Sequence, residues 1–158
     1  MATAGRNLSE FDASELPDAT GMRIGLVVSE WNPEITGALY QGARKTLLEC
    51  GVAPANILLQ KVPGSFELTF GCRALIRREK PDAVIAIGSV IRGETPHFDF
   101  VCSATAQGIT ELNLREEVPV IFCVLTDNTL AQARDRSGGR HGNKGTEAAI
   151  AALKMAAL

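Results

Sequence analysis

His97 stands at the end of the segment Gly88-Ser89-Val90-Ile91-Arg92-Gly93-Glu94-Thr95-Pro96-His97, where glycines, a serine, a threonine and both signs of charge crowd into one loop. An imidazole titrates near neutral pH and can carry protons between neighbouring heteroatoms. A glycine-flanked loop that runs into a helix offers backbone N–H groups that hold a phosphate without a long basic side chain. A lone histidine in a merely structural role remains the open alternative.

Three other segments carry comparable chemistry. Ser29-Glu30-Trp31-Asn32 holds the only tryptophan, which suits stacking on a flat ring or, alternatively, stapling to the helix that follows. Val62-Pro63-Gly64-Ser65-Phe66-Glu67 combines a tight turn with a carboxylate in a helix's first turn; Glu67 can accept hydrogen bonds from a polyol or simply favour the helix dipole. Further on, Arg136 and Lys144 bracket Ser137-Gly138-Gly139-Arg140-His141-Gly142-Asn143. Asn143 rather than Gly precedes Lys144, so this is no Walker-type nucleotide loop, though its cations can neutralise a phosphate, even across a subunit boundary.

The elements that must position these residues follow from the spacing of apolar positions. Arg23–Ser29, Asn56–Val62, Ala83–Ile87 and Pro119–Leu125 read as short buried strands, the last carrying Phe122. Helices are expected after each: one N-capped by Asn32 with Pro33 first and Ile35, Leu39, Ala43 and Leu47 as its apolar stripe, then Phe66–Arg78, then Pro96–Arg115 carrying Phe100, Ala104 and Ile109. Thr129–Arg136 is expected as a short helix, Ser137–Asn143 as a glycine-rich loop and Thr146–Leu158 as an Ala-rich closing helix. Strands alternating with helices imply a parallel sheet covered on both faces, and ligands in such sheets bind beyond the carboxyl ends of the strands. All four chemical segments follow a strand, so they converge at one rim.

At 158 residues and 46% hydrophobic, the chain fits one domain with a real core. A formal net charge of −2 without a basic run argues against nucleic acid. No apolar stretch reaches the length of a membrane span and no signal pattern leads the chain, so a cytoplasmic protein is expected. Cys50, Cys72, Cys102 and Cys123 lack zinc-site spacing and read as reduced core thiols. Residues 1–21 show no periodicity and read as an arm outside the core.

The four segments, completed by Ile35-Thr36, Phe98-Asp99 and Gly142-Asn143-Lys144-Gly145-Thr146-Glu147-Ala148-Ala149, together resemble the lumazine synthase family in order and spacing from about Met22 to the C-terminus. The resemblance implies a three-layer αβα sandwich of flavodoxin-like type, with a four-stranded parallel sheet and an N-terminal arm that adds to a neighbouring subunit's sheet. It implies a transferase of riboflavin biosynthesis that condenses 5-amino-6-(D-ribitylamino)uracil with 3,4-dihydroxy-2-butanone 4-phosphate, with no metal and no organic cofactor.

Carried over by position, Trp31 matches the family's stacking aromatic, where Phe is commoner. Ser65, Phe66 and Glu67 match its ribityl and ring contacts, and Ser89, Val90 and Ile91 its backbone contacts to the uracil edge. Glu94 and Thr95 match the loop holding the butanone phosphate, and His97 the proton-transfer residue. Phe122 and Arg136 match residues the family contributes from the adjoining subunit, with Lys144 lining the same region. Pro96 departs from the hydroxyl residue many members carry, which removes one hydrogen bond to the phosphate. The resemblance further implies a homo-oligomer, a pentamer with the short loop of the type that builds icosahedral shells of pentamers, and leaves riboflavin synthase open as a partner. Two readings from other classes compete: a flavin-binding module, and a structural shell protein with a disused site.

Overall fold

The computed structural model describes residue 7 and residues 9–158 of the chain. Strands β1 (Ile24–Ser29), β2 (Ile57–Val62), β3 (Ala83–Ile91) and β4 (Val120–Asp127) form one sheet in the order β2-β1-β3-β4. Every pairing in it is parallel. Helices α1 (Pro33–Glu49), α2 (Leu68–Glu79), α3 (His97–Arg115) and α4 (Leu130–Arg136) follow the strands in turn, and α5 (Lys144–Ala156) closes the chain. This is the three-layer αβα sandwich expected from the sequence.

The side-chain period of two divides each strand between two cores. Leu26, Val28, Ile85, Ile87 and Cys123 point to one face, where α1, α4 and α5 bury Ile35, Leu39, Ala43, Leu47, Ala133 and Leu153 against them. Val27, Val84, Ala86 and Val124 point to the other, under Leu68, Cys72 and Leu75 of α2 and Ile109 and Leu112 of α3. The small residues Ala148, Ala149 and Ala152 let α5 sit close to α1, and the approach is closest at Gly145, where a Cβ would lie 1.9 Å from the Leu39 carbonyl oxygen.

Several local expectations are corrected. Strand β3 runs four residues past Ile87, because Ser89, Val90 and Ile91 find partners in Leu125, Thr126 and Asp127 of β4. The glycine-rich loop is a small antiparallel hairpin of β5 (Ser137–Gly139) and β6 (Gly142–Asn143). Phe100 is exposed rather than core; the buried positions of α3 are Thr105, Ile109 and Leu112, a stripe about 125° round the helix from Phe100 and Ala104. Within residues 9–21, Ala19 is fully buried and Leu16 packs on the α1 core, while the Asn143 N–H donates to Ser9 Oγ at 2.9 Å. Two apolar residues without periodicity leave no trace that a pattern search detects. The remainder of the expected arm, residues 1–6 and 8, lies outside the described residues.

No helix among the described residues is long and apolar enough to cross a membrane. The described residues also contain no group of three or more metal-ligating side chains.

Candidate functional site

A cleft of about 610 Å³ opens beyond the carboxyl ends of β1, β2 and β3. Trp31, Asn32, Gly64, Ser65, Phe66, Glu67, Ser89, Val90, Ile91, His97 and Val101 line it. The topology explains the convergence: three neighbouring parallel strands end at the same rim, so the segments after them are brought side by side.

Trp31 leaves β1 and keeps 72% of its surface exposed, so it does not staple to α1. Phe66, 61% exposed, stands across the cleft mouth. Two large aromatic faces held in water are a ready platform for a flat heterocycle. Gly64 makes room beside Trp31 and Glu67: a Cβ there would fall 2.9 Å from Glu67 Oε2 and 3.3 Å from Trp31 Cδ1. Glu67 is the N-cap of α2 rather than a first-turn residue, and its side chain makes no capping bond, which leaves the carboxylate available to a ligand.

The floor is polar and unsatisfied. Ser65 and Ser89 are 6% and 2% exposed, and neither hydroxyl has a hydrogen-bond partner among the described residues. Buried hydroxyls without partners are uncommon and mark positions where a ligand or water completes the bonding. Gly88 again supplies the space, since a Cβ there would lie 2.7 Å from Ser65 Oγ. The Ser65 loop is held from below by Thr105, whose Oγ1 lies 3.2 Å from the Ser65 carbonyl oxygen.

Asn32 behaves differently from expectation. It precedes Pro33 in the left-handed conformation (φ 55°, ψ 56°) and makes no side-chain cap. Its amide instead donates to the Ser89 carbonyl at 2.9 Å, joining the ends of β1 and β3 across the floor. The sequence signal was present in an Asn, a residue tolerant of positive φ, between Trp and Pro.

His97 is the first residue of α3 and is exposed, with Pro96 before it as N-cap. Glu94 and Thr95 belong to the exposed loop beside the cleft but do not line it. This loop begins at Arg92, whose guanidinium reaches Asp99 at 2.9 Å and Asn128 at 3.0 Å and lies 4.3 Å above the Phe98 ring. Sequence reading passed over Arg92, because its partners are named only by the fold.

Three residues singled out in the sequence stand apart from this cleft within one chain. Phe122 lies in a separate groove beside Met155 and Leu158 on the open edge strand β4. Lys144 pairs with Glu147. Arg136, half-buried in the last turn of α4, makes no ion pair within the described residues, but its charge acts on Asp127 at the end of β4, partly offsetting the burial that raises that carboxyl. The Cys102 thiol is raised by burial and then by Asp99, against Arg92, so it is not an activated nucleophile. The cleft is therefore equipped to stack a ring, bond to polar edges and move protons at His97, without an activated nucleophile of its own.

The family model described as 6,7-dimethyl-8-ribityllumazine synthase matches residues 21–158. Among relatives bearing that name, the protein of Christiangramia forsetii is 58% identical over all of this chain and 95% of its own length. Those of Porphyromonas gingivalis and Cytophaga hutchinsonii are 56% and 53% identical, over 100% and 99% of this chain and 98% of their own. With identity above one half from end to end, and a family match that takes in every segment lining the cleft, the chain belongs to the family of 6,7-dimethyl-8-ribityllumazine synthases, enzymes of riboflavin biosynthesis.

Proposed function

We propose that this enzyme condenses 5-amino-6-(D-ribitylamino)uracil with 3,4-dihydroxy-2-butanone 4-phosphate to give 6,7-dimethyl-8-ribityllumazine, phosphate and water, the penultimate step of riboflavin biosynthesis. The observation that carries the reading is the cleft itself, in which Trp31, Phe66, Glu67, Ser89 and His97 surround a floor with two unpartnered buried hydroxyls.

In this reading Trp31 and Phe66 clasp the pyrimidine, Glu67 and Ser65 take the ribityl hydroxyls, and Ser89, Val90 and Ile91 present backbone groups to the uracil edge. The loop at Glu94 and Thr95 holds the butanone phosphate, with amides at the start of α3 turned toward the anion. The ring amine attacks the ketone and loses water to form a Schiff base, elimination expels phosphate and leaves an enol that tautomerises to a carbonyl, and the ribityl-bearing nitrogen attacks that carbonyl and loses a second water as the ring closes. His97 shuttles protons among these steps. Juxtaposing two reactants supplies most of the acceleration, since no step requires a covalent bond to the protein.

Phe122, Arg136 and Lys144 enter from an adjoining copy, Phe122 as a wall for the pyrimidine and Arg136 as the phosphate partner, with Lys144 lining the same region. Their distance from the cleft within one chain supports this. So do exposed Phe70 of α2 and Phe100 and Leu114 of α3, apolar surface that an assembly would cover. The assembly in this reading is a pentamer, further built into an icosahedral shell, working in the cytoplasm, with hand-over of product to riboflavin synthase left open. Light scattering that finds only isolated pentamers at neutral pH would overturn the shell.

The test mixes purified protein with both substrates and follows lumazine formation optically against the uncatalysed background. Acceleration is expected, reduced about a hundredfold but not abolished in His97→Ala, and reduced in Arg136→Ala through KM for the phosphate substrate. A folded, assembled protein without acceleration refutes the reading, and a copurified yellow chromophore without turnover would point to a flavin-binding module instead.

A further inference from the structure

Residues 92–97 are all exposed, so no burial fixes the loop that the proposed function assigns to the phosphate substrate. What ties it down is a set of hydrogen bonds centred on Arg92, with the Asp99 N–H donating to the Pro96 carbonyl at 2.9 Å at the loop's far end. The Arg92 N–H donates to the Asp127 carbonyl at 2.9 Å, pinning the start of the loop to the end of β4. Its guanidinium then spans the loop: two nitrogens reach the Asp99 carboxylate at 2.9 and 3.4 Å, Nε reaches Asn128 Oδ1 at 3.0 Å, and Cζ lies over the Phe98 ring, 4.3 Å from its centroid. Phe98 and Asp99 are the two residues after His97. A planar guanidinium that stacks and forks at once is a geometry no other cation reproduces.

We propose that Arg92 is a positioning residue: by clamping Phe98, Asp99 and Asn128 it closes the Gly93–Pro96 loop into a fixed ring and sets that loop and His97 in the geometry that receives the phosphate-bearing substrate. The inference rests on the reading of the loop given under Proposed function. Arg92 and Asp99 are 44% and 58% exposed, and ion pairs so exposed contribute little to global stability. The effect of the clamp therefore falls on the loop's preorganisation rather than on folding.

The test compares Arg92→Gln, Arg92→Lys, Asp99→Asn and the Arg92→Gln/Asp99→Asn double variant in the assembled enzyme. Calorimetry measures the Kd of inorganic phosphate, and initial rates give KM for each substrate. Arg92→Gln and Asp99→Asn are each expected to weaken phosphate binding and raise KM for the butanone phosphate about tenfold, as loss of preorganised geometry does. KM for the ribitylaminouracil should stay within about twofold, and Tm should hold, because a clamp on an exposed loop adds little to either. Arg92→Lys should not rescue, because an ammonium cannot form the fork. The double variant should be no worse than Arg92→Gln, because Arg92→Gln already breaks the contact with Asp99.

Additive losses, a wild-type Asp99→Asn, rescue by lysine, or both KM values rising together with a fall in Tm would each overturn the proposal. A wild-type protein that makes no lumazine yet shows the same pattern of phosphate affinities would refute the reaction and leave the clamp standing. A wild-type protein that binds no phosphate overturns the clamp's role.

Discussion

The Asn32 side-chain amide donates to the Ser89 carbonyl oxygen at 2.9 Å, over a separation of 57 residues. That bond fastens the residue after Trp31 to β3 near its end, joining the turn that carries Trp31 directly to the polar floor of the cleft. Asn32 also occupies the left-handed region, and two substitutions separate these two roles. Asn32→Gly keeps the backbone conformation and is expected to cost about 1 kcal/mol for the lost bond. Asn32→Ala adds the positive-φ penalty, about 1 kcal/mol more. Equal losses in urea unfolding would show that the backbone conformation contributes nothing.

Gly145 and Gly37 predict opposite outcomes for one substitution. A Cβ at Gly145 collides with the Leu39 carbonyl, backbone that cannot swing aside, whereas nothing lies within 4 Å of a Cβ at Gly37 inside α1. Gly145→Ala should destabilise by about 3 kcal/mol, at the upper end for overpacking. Gly37→Ala should stabilise by about 0.5–1 kcal/mol through helix propensity. Thermal unfolding of both variants checks the pair.

Asp127 is buried at the end of β4 with Oδ2 unpartnered among the described residues, and burial raises its carboxyl above the usual value of 3.8 while Arg136 opposes the shift. A folded-state pKa above the unfolded one means that the native protein holds the proton more tightly. The carboxyl is therefore harmless at low pH and increasingly destabilising as pH rises past 3.8 and through the raised value. Asp127→Asn should stabilise at neutral pH, and the gain should vanish at acid pH. Lost stability at neutral pH would mean that attraction to Arg136 outweighs burial.

The four cysteines should divide by reactivity. Burial pushes the Cys72 and Cys123 thiols up to about 12, and Cys50 and Cys102 are only half-buried. Iodoacetamide at mildly alkaline pH is expected to modify only Cys50 and Cys102 in the native protein, with Cys72 and Cys123 reacting after denaturation. Mass spectrometry of the peptides reads the outcome, and early labelling of Cys123 would show that the α5 side of the core opens.

The sequence by itself determined the four strand-helix units, the α1 stripe of Ile35, Leu39, Ala43 and Leu47, and the segments that meet at the strand ends. These are legible because a period of two or of 3.6 is a local property, written into consecutive residues by the need to face a core. Only the tertiary structure decided what depends on distant partners: Asn32 bonding Ser89 rather than capping its helix, β3 extending along β4 to Ile91, Phe100 turning outward, and Arg92 closing on Asp99 and Asn128. Polar side chains take the nearest available partner, and which partner is nearest is set by sheet order and helix packing rather than by neighbours in the chain. The same reason keeps Phe122, Arg136 and Lys144 outside the cleft of their own chain. Their neighbours in the chain name no partner for them, and the arrangement of the fold sets where they lie.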